Sequence, residues 1–211
     1  MLGQRDYVCS AGLPPSPRLR RTAEGPHYID REIWWGARGA VSRNIEIKAR
    51  VDDLGALRMR ASALASSVSQ LIDQIDTFFI VARGRLKVRA FADGSGELIA
   101  YERSNEHGPK ESTYTRAECR DAAALCEALA RVLPVRGVVA KHREVFLAGR
   151  TRIHLDRVEK LGSFVELEVV LADGESPEAG RREAQELFES LAISERDLVP
   201  DAYIDLIERS T

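Results

Sequence analysis

The sequence predicts an α+β domain in which eight antiparallel strands close into a barrel and about three helices pack outside it. From residue 43 onward, short segments that alternate apolar and polar residues outnumber the helical segments. Glycine-bearing turns such as DGSGE separate successive strands, which is typical of an antiparallel meander. Eight strands with so few helices suit a closed antiparallel barrel or a strongly curved sheet. A barrel with its helices packed outside lets three helices cover the apolar faces of the strands.

The first half of the domain is predicted to contain five strands and one helix. The opening strand covers residues 44–51, and Asp52 or Asp53 can cap the helix that follows it. In this helix, apolar residues recur with a 3.6-residue period from Leu54 to Ala65. The next four strands are QLIDQIDTFFIV, GRLKVRAF, GELIAYER and ESTYTRAE.

The second half of the domain begins with the predicted helix CRDAAALCEALARVL. Three more strands follow it: RGVVAKHREVFLA, RTRIHLDRVEKL and GSFVELEVVLA. A third helix begins after Ser176, with Pro177 at its first position, where the missing N–H of proline costs no helical hydrogen bond. The stretch DLVPDAYIDLI is predicted to form a short apolar closing segment.

Residues 1–42 are predicted to be a disordered N-terminal extension, and residues 43–211 the folded domain. The stretch GLPPSPRLRRTAEGP has no apolar period, so burial cannot offset the entropy lost on ordering it. Trp34 and Trp35 are the exception in this region. Either they dock on the domain, or they lie in a segment translated from an upstream start codon.

The composition narrows the possible classes of function. The 31 basic and 33 acidic residues give a net charge of −2, which argues against nucleic acid or an anionic membrane as a partner. No apolar run approaches the ~20 residues of a membrane span, and the start of the chain lacks a hydrophobic secretory core. The three cysteines show no metal-ligand spacing. We therefore expect a cytoplasmic protein, with its oligomeric state open between monomer and homodimer.

Charged residues alternate along many strands, and their sign differs from strand to strand. Basic residues share one face in GRLKVRAF and in VVAKHREVF, whereas acidic residues share one face in FVELEVV. A solvated outer face is the usual place for such charges, and this alternative holds for any single strand. Charges turned into a barrel are costly unless they pair or meet a charged ligand. The whole set therefore predicts a lumen that holds a triphosphate-sized anion with divalent cations.

Several motifs resemble those of the CYTH, or triphosphate tunnel, superfamily. NIEIKARV is similar to the Glu-x-Glu-x-Lys strand of that family, and IHLDRVEKLGSFVELE looks like its Asp-x-Val…Leu-Gly-x-Phe-x-Glu-x-Glu segment. GRLKVR, VVAKHR and YIDLI occur in the expected order, so the resemblance covers about residues 43–207. It implies an eight-stranded tunnel that binds a triphosphate, such as ATP, together with Mg²⁺ or Mn²⁺.

The resemblance also implies roles for individual residues. The metal-binding carboxylates would be Glu46, Asp156, Glu166 and Glu168. Catalysis would involve Lys48, Lys87 and Arg89. The substrate phosphates would contact Arg50, Arg85, Arg103, Lys141, Arg143 and Arg152. Asn44 departs from the family pattern, because it stands where the first glutamate is expected; its neutral carbonyl oxygen cannot supply the second negative charge of a two-metal site.

The reaction stays open between alternatives. The layout around GELIAYERSN looks closest to class IV adenylate cyclases, which form cyclic AMP and pyrophosphate from ATP, although their histidine- and glycine-bearing lead-in is not evident in WWGARGAVS. Hydrolysis of an organic or inorganic triphosphate is the first alternative, and a non-catalytic triphosphate-binding module, which Asn44 favours, is the second. Gln74 and Asp76 either orient a basic neighbour or contact the base. His154 shares the inward parity of Asp156 and is interpreted as a hydrogen-bonding spacer.

Overall fold

The computed structural model describes residues 41–104 and 108–210, in which eight antiparallel strands form one closed barrel. The predicted fold class is therefore confirmed. The strands are β1 (Ser42–Arg50), β2 (Gln70–Phe79), β3 (Arg85–Phe91), β4 (Gly96–Arg103), β5 (Lys110–Cys119), β6 (Val135–Ala148), β7 (Thr151–Val158) and β8 (Gly162–Val170). Almost all of the predicted extension, residues 1–42, lies outside the described residues, so its disorder stays a prediction.

The order of the strands around the barrel is β1-β5-β4-β3-β2-β6-β7-β8, and β8 returns to pair with β1. The strands β2 to β5 form the predicted meander, since each pairs with the next along the chain. Successive side chains of a strand point to opposite faces, so every strand presents one face to the lumen and the other to the outside. Closure brings the first and last strands together and places Glu46 directly opposite Glu168.

The three predicted helices cover the outward apolar faces of the strands. They are α1 (Leu54–Leu64), α2 (Ala122–Ala130) and α3 (Pro177–Ser190). Asp53 caps α1, because its side chain accepts a hydrogen bond from the backbone N–H of Ala56 at 2.9 Å. Leu57 of α1 and Phe188 of α3 share one buried cluster with side chains of β1, β7 and β8, while Cys126 of α2 packs with residues of β3. None of the helices in the described ranges is both long enough and apolar enough to cross a membrane.

A fourth helix, α4 (Tyr203–Arg209), forms where the sequence predicted only an apolar closing segment. It caps one end of the barrel, because Tyr203 and Ile204 are buried in one cluster with Phe78 and Phe164. The close approach of α4 to β6 requires glycine at position 137, since a Cβ atom on Gly137 would lie 2.7 Å from Ile204 Cδ1. The segment before α4 contacts side chains of β1 and β5, since the carbonyl oxygens of Asp201 and Pro200 accept hydrogen bonds from Lys48 and Lys110.

Candidate functional site

The inward faces of the strands line one cavity of about 790 Å³, counted to its open mouth. Eight basic and four acidic side chains contribute to the wall, so the wall carries an excess of positive groups. The basic residues are Lys48, Lys87, Arg89, Arg103, Arg116, Lys141, Arg143 and Arg152, and the acidic residues are Glu46, Asp76, Glu166 and Glu168.

Three of the wall carboxylates meet where β1 pairs with β8. Glu46 is opposite Glu168 in the ladder, and Glu166 is opposite Lys48. Each of these carboxylates contacts an arginine, which compensates part of the cost of burying its charge. The three contacts are Arg103 Nη1 to Glu46 at 2.5 Å, Arg143 Nη2 to Glu166 at 2.7 Å and Arg152 Nε to Glu168 at 3.1 Å.

Two buried aspartates fix the orientation of arginines that face the cavity. Asp156 accepts hydrogen bonds from Nε and Nη2 of Arg143, both at 2.6 Å, and Asp76 accepts them from Nε and Nη2 of Arg89 at 2.8 Å and 3.0 Å. Such bidentate contacts hold the plane of a guanidinium group. Asp156 also accepts a hydrogen bond from the Tyr203 hydroxyl at 2.9 Å; it is fully buried and is not part of the cavity wall. Asp156 thus stands behind Arg143, apart from the three clustered carboxylates.

Two residues predicted to bind phosphate, Arg50 and Arg85, do not line the cavity. Arg50 is exposed at the end of β1 and donates a hydrogen bond to the carbonyl oxygen of Leu161 at 3.1 Å. Arg85 is the first residue of β3, and its Nη1 lies 3.2 Å from Asp205 Oδ2 on α4. The alternation along each strand predicts that both side chains point inward. Each residue lies at the end of its strand, at the rim of the barrel, so neither side chain lines the cavity.

Strand β5 contributes residues that the sequence analysis did not assign to the site. Ser112, Tyr114 and Arg116 line the cavity. Lys110 is buried, and its Nζ donates a hydrogen bond to the carbonyl oxygen of Pro200 at 2.6 Å. In KESTYTRAE the residues on both faces are largely polar, so the alternation of apolar and polar residues that marks the inward face of other strands is missing here.

Apolar and aromatic side chains occupy part of the same wall. Phe78, Ile99, Tyr101 and Tyr114 all line the cavity. Tyr101 and Tyr114 are direct partners across the β4–β5 ladder, so they form a continuous surface. The cavity therefore offers space against an apolar surface as well as a set of charges.

Burial and neighbouring charges shift the pKa values of groups in the wall. Burial, reinforced by the nearby Arg143, lowers the pKa of Lys141 to about 7. Burial raises the pKa of the Glu46 carboxyl. Burial acts in the same direction on Glu166, but the combined attraction of neighbouring cations, of which Lys48 contributes most, outweighs it and holds the pKa of Glu166 well below its usual range. A bound anion would favour the charged form of Lys141, because a nearby opposite charge stabilises the ammonium group.

The donor atoms of the acidic cluster fit a divalent cation. Glu46, Glu166 and Glu168 supply carboxylate oxygens, which are the hard donors that Mg²⁺ and Mn²⁺ take in proteins. Asn44 lies on the same wall, is 3% exposed, and its Oδ1 has no hydrogen-bond partner within the described ranges. The site thus offers the neutral amide oxygen of Asn44 in addition to the carboxylate oxygens.

His154 does not act as the hydrogen-bonding spacer that the sequence suggested. It is fully buried, and among the residues that the structure describes neither of its ring nitrogens has a hydrogen-bond partner. Burial lowers the pKa of its imidazole, with Arg143 acting in the same direction. The ring lies against Glu166 and Glu168, so it belongs to the surroundings of the acidic cluster.

Comparisons with known proteins agree with this fold. The fold is similar to the solved structure of the PH1012 protein from Pyrococcus horikoshii OT3, which is 27% identical, with a TM-score of 0.69 and coverage of 77% of this chain and 98% of that one. A candidate adenylate cyclase from Vibrio parahaemolyticus is 19% identical, with a TM-score of 0.64 and coverage of 81% and 99%. A candidate adenylyl cyclase from Hippeastrum with a dominant triphosphatase activity is 18% identical, with a TM-score of 0.53 and coverage of 79% and 95%.

The last two likenesses are too distant in sequence to show more than a shared fold. A search of curated proteins found none that matches the chain. The sequence pattern of the CYTH domain, in contrast, matches residues 42–203, which include all eight strands of the barrel. The chain therefore belongs to the CYTH domain family.

Proposed function

We propose that the protein is a divalent-metal-dependent enzyme that binds an organic triphosphate in the barrel cavity and catalyses a reaction at phosphorus. One observation carries the proposal: eight basic side chains and three clustered carboxylates face the same cavity. Guanidinium and ammonium groups bind phosphate oxygens, and carboxylates hold Mg²⁺ or Mn²⁺ against the same phosphates. The cytoplasm, where ATP and Mg²⁺ are abundant, stays the expected compartment.

The proposed roles follow from the contacts of each side chain. Arg143 and Arg89 would bind phosphate oxygens, because Asp156 and Asp76 already fix the planes of their guanidinium groups. A metal ion held by the three clustered glutamates would supply neutralisation of charge on the triphosphate. The remaining wall cations would stabilise the charge that develops on the leaving phosphate. They are Lys48, Lys87, Arg103, Arg116, Lys141 and Arg152.

The proposed substrate is ATP and the proposed reaction is its cyclisation. Phe78, Ile99, Tyr101 and Tyr114 give the cavity an apolar surface that suits an organic group better than inorganic triphosphate. In cyclisation, the ribose 3′-hydroxyl loses its proton to solvent and its oxygen forms a bond to the α-phosphorus. The bond from that phosphorus to the bridging oxygen breaks, and pyrophosphate leaves. Hydrolysis uses the same phosphate-binding residues with water as the nucleophile. The Hippeastrum protein, with its dominant triphosphatase activity, is the reason to test hydrolysis on equal terms.

Product analysis tests the proposal. The full chain is incubated with ATP and either Mg²⁺ or Mn²⁺, and the products are separated. We expect cyclic AMP and pyrophosphate; ADP and orthophosphate without cyclic AMP would replace cyclisation by hydrolysis. Thiamine triphosphate and inorganic triphosphate serve as alternative substrates. No turnover of any of them with either metal would contradict an enzymatic function.

A non-catalytic triphosphate-binding module is the second candidate, and Asn44 is the observation that favours it. An amide in place of a carboxylate leaves the wall with one negative charge fewer for metal ions. Calorimetry that gives tight, metal-dependent binding of a triphosphate, together with no turnover over hours, would support this candidate. Turnover at a rate that Glu168→Gln abolishes would exclude it.

A further inference from the structure

The buried imidazole of His154 on β7 lacks hydrogen-bond partners among the described residues. Its side chain is fully buried, and both ring nitrogens lack a hydrogen-bond partner in the described part of the chain. Buried polar groups in native proteins nearly always have a partner, so an exception of this kind points to a ligand, ion or water. The nearest charged oxygens lie outside hydrogen-bond range: His154 Nδ1 is 3.8 Å from Glu166 Oε2 and 3.7 Å from Glu168 Oε1.

These separations suit donors that share one metal ion. An ion with bonds of roughly 2.1 Å contacts two donors whose separation is at most about twice that length. The two His154–glutamate distances satisfy this limit. One donor atom from each of the three residues lies within 4.8 Å of the other two. The imidazole is thus aimed between two carboxylates of the acidic cluster, and a small shift of the side chains would bring all three donors onto one ion.

We propose that His154 is a nitrogen ligand that, with Glu166 and Glu168, binds a divalent transition-metal ion. The inference rests on the proposed function only in taking the two glutamates as metal carboxylates. It adds a specificity that oxygen donors alone do not give. Imidazole nitrogen binds first-row transition metals, whereas Mg²⁺ strongly prefers oxygen. The site is therefore expected to favour Mn²⁺, and Co²⁺ still more, over Mg²⁺.

The arginines around the cluster do not prevent this arrangement. Arg143 Nη2 contacts Glu166 Oε2 at 2.7 Å, and Arg152 Nε contacts Glu168 Oε2 at 3.1 Å. Each glutamate has a second carboxylate oxygen, and in Glu168 that oxygen, Oε1, is the one nearest to His154. At Glu166 the second oxygen, Oε1, lies 3.5 Å from Lys48 Nζ, so an ion would share this carboxylate with Arg143 and Lys48. The tight bidentate contact with Asp156 keeps Arg143 in place in either case.

Pulsed electron paramagnetic resonance of bound Mn²⁺ tests the assignment directly. The full chain is loaded with Mn²⁺ alone, and the coupling between the electron spin and a directly bound ¹⁴N nucleus is recorded. We expect a ¹⁴N coupling that becomes a ¹⁵N coupling when the histidines are labelled with ¹⁵N. The coupling should disappear in His154→Gln, and Mn²⁺ affinity should fall by about tenfold to a hundredfold. The Mg²⁺ affinity should change much less.

Two control variants keep the test decisive. His142→Gln removes the exposed imidazole of β6, which contacts Asp73 at 2.5 Å, and should leave the Mn²⁺ spectrum unchanged. A chain in which His27, His107 and His142 are all replaced by glutamine retains His154 alone. If His154→Gln does not fold, this second chain still tests the proposal, because a coupling that changes from ¹⁴N to ¹⁵N when its histidine is labelled can come only from His154.

The possible outcomes separate this inference from the proposed function. Mn²⁺ that binds without a histidine coupling would overturn the role of His154 and would mean that a water fills the gap, while the triphosphate proposal would stand. The role of His154 would also be overturned if Mn²⁺ does not bind to the protein without a triphosphate and shows no histidine coupling when tripolyphosphate is added. A histidine coupling without turnover of any triphosphate would support the metal site and contradict the enzymatic function.

Discussion

At the scale of single residues, the cations of the cavity wall are already engaged before any substrate binds. Lys48 Nζ lies 3.5 Å from Glu166 Oε1 and donates a hydrogen bond to the carbonyl oxygen of Asp201 at 3.2 Å. Arg103 likewise contacts both Glu46 and the carbonyl oxygen of Pro200. An unpaired buried charge is costly. A metal-bound triphosphate must therefore replace these partners, and the phosphate oxygens are suited to do so because they offer several acceptors.

Glu168→Gln should lower kcat by about 10²- to 10³-fold, the cost of removing one electrostatic contact from a transition state. The amide keeps the shape of the side chain but loses the negative charge that faces Arg152 and would hold the proposed metal ion. We expect Glu166→Gln and Lys48→Ala to reduce activity strongly as well. Initial rates with ATP measure the effect, and a thermal unfolding curve checks that each variant folds.

Glu186→Gln is the matched control for these substitutions. Glu186 is exposed on α3, so the same chemical change far from the cavity should leave the rate unchanged. Full turnover in Glu168→Gln would show that the carboxylates of β8 do not form the metal site.

Asn44→Asp should add a second metal ion to the site. The wild-type amide offers a neutral oxygen, so we expect one Mn²⁺ per chain in the presence of tripolyphosphate, and two after the substitution. Calorimetric titration with Mn²⁺ measures the number of sites. Asn44→Ser, which is also neutral, is the control and should retain one. A wild-type protein that already binds two ions would show that the amide oxygen of Asn44 is a sufficient ligand.

At the scale of elements, the inward face of a strand can be predicted when its other face is apolar. The strands β1, β7 and β8 meet this condition, and four of their inward residues line the cavity: Glu46, Arg152, Glu166 and Glu168. Asp156 shares the inward parity of Arg152 but lies behind the wall. Strand β5 does not, because it is polar on both faces. Helix α4 has seven residues, too few for a 3.6-residue period to stand out after Pro200. Its position depends on the barrel end that it caps, which local sequence does not specify.

Gly137→Ala should destabilise the docking of α4 on β6. The added Cβ would lie 2.7 Å from Ile204 Cδ1, and overpacking of this kind costs about 1–3 kcal/mol. Ile204→Val removes the Cδ1 atom, so the two substitutions together should cost less than the sum of their separate effects. Chemical denaturation of the four proteins of this cycle gives the coupling free energy. Strictly additive effects would contradict this prediction, and would mean that the backbone of α4 shifts away from β6 to avoid the added Cβ.

At the scale of the whole molecule, barrel closure assembles the site. Glu46 and Glu168 are far apart in sequence, and they face each other only because β8 returns to β1. The sequence predicts the closed class, since few helices must cover many apolar faces. It does not predict which arginine meets which carboxylate, because that depends on the register of non-local ladders. The alternation along β7 likewise predicts that His154 points inward. It does not predict that the imidazole lacks a hydrogen-bond partner among the described residues.

The pH dependence of stability and that of substrate binding should have opposite signs. The pKa of Lys141 is lowered to about 7 in the fold from 10.5, so between these values the unfolded chain binds more protons than the folded one. The free energy of unfolding therefore rises with pH in this window. Triphosphate affinity should fall over the same window, because the anion needs the protonated ammonium group. Lys110, whose pKa burial lowers to about 8, should act in the same direction.

Parallel measurements on one set of proteins check this prediction. Denaturation curves give the free energy of unfolding, and calorimetry with tripolyphosphate and Mg²⁺ gives the affinity, both from pH 6 to pH 9. Once Lys141 is mostly neutral, we expect its contribution to reduce affinity by about tenfold per pH unit. Lys141→Met should flatten both profiles, whereas the exposed control Lys160→Met should leave them unchanged. Profiles of Lys141→Met that parallel those of the wild type would show that Lys141 is not the group that links proton release to the fold and to the anion.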